Sequence, residues 1–329
     1  MHDSQTLAVY TDVDDLDSAP GVAMLESNGF RVVVLETRDA DTIVAAAHEA
    51  SVLLVGYARI TAEMIAAMPA LRLIALLSRG HDNIDVAAAA AAGVQVSTVG
   101  HIATEEVASH AWAMTTALAR RLPFFATAGT SRSWLERPHF PPRRLSTMTV
   151  GVIGLGRIGQ AYSRFAVGSA GTVLGHDPSA RGQDVHVEGV DYVEASDVVS
   201  RSDVVSLHVP STPATHMMVD EQFLSAMKPG SYLINVSRGS LVDSRALADS
   251  LSRGHLAGAG IDTFDVEPPP VDHPLLDHPS VLLSPHVAYL SDVSALAYVE
   301  AQAANAVAWI RTGTPLEPID SVAFREGVS

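Results

Sequence analysis

The spacing of three glycines near the middle of the chain could hold a phosphate group. Gly154, Gly156 and Gly159 form the pattern G-x-G-x-x-G, after the apolar run TVGVI and before the helix-like run RIGQAYSRFA. In that context the first glycine permits a tight turn, the second lets the backbone approach a pyrophosphate, and the third lets helix and strand pack closely. The free N–H groups at the helix start then face the anion. The loop predicts a dinucleotide site, and the alternative is a tight turn in an ordinary α/β domain.

An acidic residue follows the glycine pattern at the distance that ribose binding requires. The run TVLGHDP places Asp177 at the end of the next predicted strand. A carboxylate there accepts hydrogen bonds from the adenosine ribose hydroxyls and repels a 2′-phosphate, so it favours NAD over NADP. Arg181, four residues later, weakens that preference slightly.

Further downstream, polar residues follow three predicted strands. Arg238 follows a predicted strand in INVSRGSLVD, Asp262 and Glu267 lie in GIDTFDVEP, and His286 follows VLLSP. Hydride transfer to a carbonyl needs an orienting group, a positive charge for the developing oxyanion and an acid that supplies a proton. The carboxyl ends of parallel strands meet at one edge of a sheet, where a nucleotide binds. We therefore expect these side chains at that edge.

The composition limits the other classes of function. With 329 residues the length suggests about two domains, and the formal net charge of −16 argues against binding a nucleic-acid backbone. The absence of cysteine excludes disulfides, thiolate nucleophiles and thiolate metal sites, and we expect no metal. The start MHDSQTLAVY lacks the features of a signal peptide, and the alanine-rich residues 86–93 are too short to span a membrane. We expect a cytoplasmic protein without a membrane partner.

Two series of apolar runs alternate with helix-like stretches. The first series has five runs within residues 1–98, and the second has six strand candidates beginning with TVGVIG. A helix is predicted over 104–122, a loop over 129–147 and a final helix over about 291–311. Continuous apolar strands alternating with helices predict an α/β protein with two doubly wound parallel sheets.

Residues from about 50 to 311 resemble the D-isomer-specific 2-hydroxyacid dehydrogenases. Besides the glycine loop, the resemblance rests on these ordered blocks: DNID (82–85), TEEVA (104–108), LHVPSTPAT (207–215), INVSRGSLVD (234–243), GIDTFDVEP (260–268) and SPH (284–286). It implies a discontinuous flavodoxin-like substrate domain of residues 1–98 and 287–329. A Rossmann NAD-binding domain of residues 99–286 would be inserted into it, which explains why the glycine loop is central.

The resemblance also implies roles for single residues. His286 would be the general acid, Glu267 its partner, and Arg238 the clamp for the substrate carboxylate and carbonyl. The reaction would be a D-stereospecific hydride transfer between NAD(H) and a small 2-hydroxy or 2-oxo acid. The predicted cofactor-binding positions are Thr104, Gly154, Gly156, Arg157, Ile158, Gly159, Asp177, His208, Pro210, Thr215, Val236, Asp262 and His286.

One block departs from the family pattern. In LLSRGHDNID, Arg79 precedes Gly80, the residue whose backbone N–H would bind the substrate carboxylate, where the family commonly has a small or apolar residue. If the Arg79 side chain enters the site, a more anionic substrate is favoured, such as a dicarboxylate or a phosphorus oxyanion. If it points outward, the Gly80 N–H serves alone.

Three functions therefore stay open. The first is the NAD-dependent 2-hydroxyacid dehydrogenase, and the second is a phosphite-type oxyanion dehydrogenase. The third is a catalytically silent protein that senses NAD(H), against which the intact set Arg238, Glu267 and His286 argues. The partner in the first two is a small anionic substrate, and the resemblance implies a homodimer.

Overall fold

The computed structural model describes residues 5–13, 16–130, 134–178 and 186–319. The chain divides into two compact units, Met1–Ile102 with Ser291–Ser329, and Ala103–Leu290. Each unit is an α/β fold around its own parallel sheet. Within the described residues, none of the helices combines the length and apolar composition that a bilayer crossing needs.

The first unit contains a five-stranded parallel sheet in the order β2-β1-β3-β4-β5, the flavodoxin-like arrangement. Its strands are β1 (Thr6–Tyr10), β2 (Phe30–Val34), β3 (Val52–Val55), β4 (Leu73–Leu76) and β5 (Gln95–Ser97). Its helices are α1 (Ala19–Ser27), α2 (Ala40–Ala47), α3 (Ala62–Ala66), α4 (Val86–Ala91) and the last helix, α11 (Ser294–Thr312). All residues of β3 and β4 are buried, because helices cover both faces of the sheet.

Helix α11 is tied to this sheet by buried amide side chains. Gln302 donates to the carbonyl oxygens of Val55 and Ala75 at 3.2 and 2.9 Å, and Asn305 donates to that of Thr98 at 2.9 Å. These bonds satisfy backbone acceptors where the strands end, which a purely apolar helix face would leave unpaired. The last helix thus completes a unit that begins near the start of the chain.

The second unit contains a seven-stranded parallel sheet among its described residues, in the order β12-β11-β10-β9-β6-β7-β8. Its strands are β6 (Thr149–Ile153), β7 (Thr172–His176), β8 (Val190–Tyr192), β9 (Val204–Leu207), β10 (Tyr232–Asn235), β11 (Gly258–Ile261) and β12 (Val281–Leu283). Its helices are α5 (Thr104–Ala119), α6 (Leu122–Thr130), α7 (Arg157–Val167), α8 (Ala195–Arg201), α9 (Glu221–Ala226) and α10 (Ser244–Ser252). The strand order reverses between β6 and β9, as in the Rossmann fold.

Two predicted details of the second unit are wrong. The helix expected over 104–122 ends at Ala119, and Arg121 adopts a left-handed φ of 56° before α6 starts. Helix α6 therefore continues to Thr130, inside the segment predicted as a loop. Strand β8 was not predicted, because this three-residue edge strand has two exposed residues and no apolar run.

Candidate active site

The glycine loop joins β6 to α7 at the point where the strand order reverses. Gly154 has a φ of +92°, and a Cβ atom there would lie 2.4 Å from the His208 carbonyl oxygen. A Cβ at Gly159 would lie 1.9 Å from the Gly154 carbonyl oxygen. Both positions need glycine so that the loop can pack against the strand and helix.

Gly156 differs from the other two glycines. It caps the N-terminus of α7 without a side-chain hydrogen bond, and among the described residues beyond its chain neighbours no atom lies within 4 Å of the place a Cβ would take. The first-turn N–H groups of the 11-residue helix therefore adjoin space that the described side chains leave open. Arg157 and Ile158, the first helical residues, lie at this end. A pyrophosphate fits such a place, since it accepts hydrogen bonds from backbone N–H groups.

Asp177 follows β7 beside the glycine loop. Its Oδ2 accepts a hydrogen bond from the backbone N–H of Leu155 at 2.7 Å. This bond fixes the carboxylate next to the loop, where the sequence predicts ribose binding. Arg181, which bears on the choice between NAD and NADP, lies outside the described residues.

His286 and Glu267 form a close pair at the carboxyl edge of the same sheet. The His286 Nδ1 lies 2.6 Å from the Glu267 Oε2, and each side chain is 29% exposed. The other carboxylate oxygen of Glu267 accepts from the Phe264 N–H at 2.8 Å. Burial raises the pKa of Glu267, but hydrogen bonding and charge from His286, the Phe264 N–H and the Arg238 charge outweigh it and lower that pKa. The Glu267 carboxylate is thus held ionised beside the imidazole.

Arg238 is brought to this pair by an unusually close backbone contact. It follows β10 and precedes Gly239, where a Cβ would lie 1.9 Å from the carbonyl carbon of Phe264 and 2.2 Å from the Asp265 nitrogen. Only glycine allows the loop after β10 to rest on the turn that carries Glu267. Arg238 also donates from its guanidinium to the Ser237 carbonyl oxygen at 2.8 Å.

The backbone around His286 is strained and tightly held. His286 has a φ of 54°, a left-handed conformation that costs a non-glycine residue about 1–2 kcal/mol. Its N–H donates to the Asp262 carbonyl oxygen at 2.8 Å. The fully buried Asp262 carboxylate accepts from the next two amides, Val287 at 3.0 Å and Ala288 at 3.1 Å. That Asp262 lines the cofactor stays a prediction.

Two more residues join this arrangement, and sequence reasoning gave them no role. The Ser284 Oγ donates to the Asp262 Oδ1 at 2.5 Å. The His110 Nε2, on α5, lies 2.9 Å from the same Ser284 Oγ. Only the motif position of Ser284 in SPH could have drawn attention to it, because His110 is 174 residues away in the chain.

His208 lies beneath the glycine loop. Its Nε2 is 2.9 Å from the Ser206 Oγ, and its ring centroid is 4.9 Å from that of Tyr162 on α7. Burial lowers the pKa of His208 to about 3, so the imidazole is neutral. The predicted cofactor contact of this residue stays a prediction.

The remaining predicted positions are distributed over both units. In the second unit, Thr104 begins α5, Val236 directly follows β10, and the Thr215 hydroxyl donates to the Pro210 carbonyl oxygen at 2.7 Å. In the first unit, Arg79 and Gly80 follow β4, and the Arg79 side chain is exposed. The second unit thus brings together Arg238, Glu267 and His286 at one place, and Asp177 with the glycine loop at another.

The chain is similar over most of its length to known reductases and dehydrogenases. A family model described as the NAD-binding domain of D-isomer specific 2-hydroxyacid dehydrogenases matches residues 112–288. Glyoxylate reductase from Korarchaeum cryptofilum is 37% identical over 290 residues, which are 87% of this chain and 84% of that protein. D-3-phosphoglycerate dehydrogenase from Mycobacterium tuberculosis is 35% identical over 82% of this chain, which spans 51% of that longer relative.

Two solved structures have a fold similar to that of nearly the whole chain. D-lactate dehydrogenase from Aquifex aeolicus, complexed with NAD and lactic acid, superposes with a TM-score of 0.85 at 29% identity, covering 94% of this chain and 98% of that one. An NADPH-dependent glyoxylate/hydroxypyruvate reductase from Sinorhizobium meliloti, in complex with NADP and malonate, gives 0.84 at 32% identity, with coverage of 98% and 99%.

Proposed function

The chain belongs to the D-isomer specific 2-hydroxyacid dehydrogenase family, as an oxidoreductase with a nicotinamide dinucleotide cofactor, and from that premise we propose its reaction. It transfers a hydride between NAD(H) and a small 2-hydroxy or 2-oxo acid with D stereospecificity. The observation that carries this proposal is the His286–Glu267 pair at 2.6 Å, with the charge of Arg238 acting on the same carboxylate.

His286 is the general acid and base in this proposal. Its Nδ1 is engaged by Glu267, so its Nε2 is the nitrogen that gives a proton to the carbonyl oxygen of a 2-oxo acid. In the oxidation direction the same nitrogen takes the proton from the substrate hydroxyl. The nicotinamide, when bound, supplies or accepts the hydride. Glu267 orients the ring and stabilises its charged form.

Arg238 binds the substrate. A guanidinium group can grip a carboxylate through two parallel hydrogen bonds, and its charge stabilises negative charge that develops on the adjacent carbonyl oxygen. Because Gly239 lets its loop rest on the turn of Glu267, the clamp and the acid–base pair share one support.

The cofactor is held by the glycine loop. The N–H groups at Gly156, Arg157 and Ile158 would bind the pyrophosphate, and Asp177 would accept from the ribose hydroxyls. We propose a preference for NAD, because a carboxylate at that place repels a 2′-phosphate. Asp177→Ser should raise the ratio of kcat/KM with NADPH to that with NADH, and an unchanged ratio would contradict the assignment.

We propose that the first unit is the substrate domain. The sequence places the boundaries of that domain at 1–98 and 287–329, and the compact unit comprises Met1–Ile102 and Ser291–Ser329. Within it, the Gly80 N–H would bind the substrate carboxylate, and the exposed Arg79 would select more anionic substrates. A phosphite-type reaction is the second candidate, favoured only by this arginine. If Arg79 selects more anionic substrates, the enzyme should have a lower KM for dicarboxylic than for monocarboxylic substrates. Arg79→Ala should reduce that difference in KM.

We also propose a homodimer through the dinucleotide-binding domain. The exposed apolar side chains of Trp134 and Leu135, 78% and 85% accessible in the single chain, follow α6 and favour a covered surface there. Light scattering of the purified protein should give twice the mass of 34.6 kDa. Replacing both residues by serine should yield monomers if this surface is the interface.

The decisive experiment measures whether the purified protein turns over candidate substrates. NADH and NADPH oxidation would be followed with glyoxylate, hydroxypyruvate, pyruvate and oxaloacetate, and NAD⁺ reduction with phosphite. His286→Ala should lower kcat by about 10²–10⁴-fold, the usual contribution of a general acid. The matched control is His48→Ala, which removes an exposed histidine at the end of α2. Tight NADH binding without any turnover would instead support the sensing function.

A further inference from the structure

A hydrogen-bonded chain runs from helix α5 to the segment that carries His286. It consists of His110, Ser284 and Asp262, with distances of 2.9 Å between the first pair and 2.5 Å between the second. The chain ends on a carboxylate that accepts from the amides of Val287 and Ala288. His110 lies 3.8 Å from the Asp262 Oδ1, so it reaches Asp262 through the serine hydroxyl.

The direction of each hydrogen bond follows from the donors available. A serine hydroxyl has one proton, and Ser284 gives it to the Asp262 carboxylate. The Ser284 oxygen can then only accept from His110, which must carry its proton on Nε2. The chain is therefore a series of donors pointing toward Asp262. Removing Ser284 takes a donor from the Asp262 Oδ1, and removing His110 takes away the donor that fixes the Ser284 hydroxyl.

His286 depends on this support because its own backbone is strained. A left-handed φ of 54° persists in a non-glycine residue only where the surroundings impose it. Here the surroundings are the Asp262 carbonyl oxygen, which holds the His286 N–H, and the Asp262 carboxylate, which holds the next two amides. A loosened carboxylate would let the segment relax and move the imidazole away from Glu267.

We propose that His110 and Ser284 are positioning residues for the general acid. They act through Asp262, without touching the substrate, by fixing the backbone on which His286 stands. This inference rests on the proposed function of His286. A displacement of about 1 Å can lower a rate by up to 10²-fold, so the effect should appear in kcat.

Paired substitutions test the proposal. Ser284→Ala removes the hydroxyl and Ser284→Thr keeps it, while His110→Leu removes the donor and His110→Gln keeps an N–H group in a similar place. The matched control is Thr116→Ala on the same helix, since the Thr116 hydroxyl donates to the carbonyl oxygens of Trp112 and Ala113 on its own helix. All rates are normalised to the amount of protein that binds NADH.

Ser284→Ala and His110→Leu should lower kcat about tenfold or more, while KM for the 2-oxo acid and the Kd for NADH change less than about twofold. Ser284→Thr and His110→Gln should recover kcat to within about threefold of the wild type. Equal kcat values for Ser284→Ala, His110→Leu and Thr116→Ala would overturn the proposal. So would a failure of both conservative variants to recover the rate.

Amide hydrogen exchange separates this inference from the proposed reaction. The amides of residues 286–288 should exchange at least tenfold faster in Ser284→Ala and His110→Leu, without substrate present, and at the wild-type rate in Thr116→Ala. If His286→Ala keeps its turnover, the proposed function fails. The exchange rates would still show whether Ser284 and His110 hold the backbone of residues 286–288. Unchanged exchange in an active enzyme would overturn the positioning role alone.

Discussion

Asp12 in the first unit and Asp262 in the second perform the same structural task. Each follows a parallel strand, β1 or β11, and each is almost fully buried, with 2% and 0% exposure. Asp12 accepts from the amides of Tyr57 and Ala58, after the neighbouring strand β3. Asp262 accepts from two successive amides after its own neighbour, β12. A buried strand-end carboxylate thus fixes the next loop in both sheets.

The two carboxylates differ in what supports them. Asp12 lies 3.1 Å from the Arg38 Nε, and the guanidinium stands over the Tyr57 ring at 5.0 Å from its centroid. Asp262 is instead supported by Ser284 and, through it, by His110. The Asp12 carboxylate is thus paired with the charge of Arg38. The Asp262 carboxylate is supported by a series of hydrogen bonds, and its segment also holds the strained backbone of His286. The same local arrangement therefore holds a loop in the first unit, and in the second it also holds the residue that we propose as the general acid.

The largest expected effect comes from removing each carboxylate in turn. Asp262→Ala removes the acceptor of the partly buried Val287 amide, the buried Ala288 amide and the Ser284 hydroxyl proton, and each lost partner costs about 1–3 kcal/mol. The free energy of unfolding should fall by about 3 kcal/mol or more, and kcat by about 10²-fold. Asp12→Ala should destabilise the protein to a similar degree, but leave the Kd for NADH unchanged. Urea unfolding, turnover and NADH titration check both variants.

The comparison breaks if the two variants behave alike. A weaker affinity for NADH in Asp12→Ala would show that the role of Asp12 extends beyond holding the loop after β3. An Asp262→Ala enzyme with wild-type kcat would show that the His286 segment keeps its conformation without the carboxylate.

Acid should weaken the second unit through His208. Its folded pKa of about 3 lies below its ordinary value of 6.5, so between these values the unfolded chain binds more protons. The stabilisation is complete above about pH 6.5 and is lost as the pH falls toward 3, by about 2 kcal/mol at pH 5. Urea midpoints at pH 7.5 and 5 should therefore differ less in His208→Gln than in the wild type. Parallel losses in the two proteins would refute this assignment.

The smallest expected effects concern Arg38 and His110, which support the two carboxylates. A hydrogen bond to a charged group contributes about 1.5–3 kcal/mol. Because the Arg38 side chain is 42% exposed, Arg38→Met should destabilise the protein by about 1.5 kcal/mol, the low end of that range. His110→Leu removes a support of the other carboxylate and should cost less, about 1 kcal/mol, because a histidine donor need not carry charge. Comparing the urea midpoints of Arg38→Met and His110→Leu tests whether the charged partner of Asp12 stabilises the protein more than the hydrogen-bonded partners of Asp262. A larger loss in His110→Leu would reverse that distinction.

Much of the fold could be predicted because buried parallel strands leave continuous apolar runs. VLLV and LIAL became β3 and β4, and the glycine loop stands between β6 and α7. Strand β8 was missed, since two of its three residues are exposed. The break at Arg121 was missed because it depends on a backbone conformation that the residue type does not indicate.

The candidate site was predictable at its strand ends and unpredictable in its supports. Arg238 and His286 follow predicted strands and Glu267 lies in the turn after another, so their places together with the family resemblance sufficed to propose them. The hydrogen bond of His110 to Ser284 depends on which face of α5 meets the loop after β12. That register is fixed by packing between distant segments, and no spacing in the sequence encodes it.

The left-handed backbone of His286 bears on how such a chain can change over evolutionary time. His286→Gly should make the protein more stable than His286→Ala by about 1 kcal/mol, because glycine accepts a φ of 54° without strain. Under the general-acid role proposed for His286, a mutation to glycine would gain stability and lose turnover. The residue that best suits the backbone at this position and the residue that suits the proposed chemistry are therefore different.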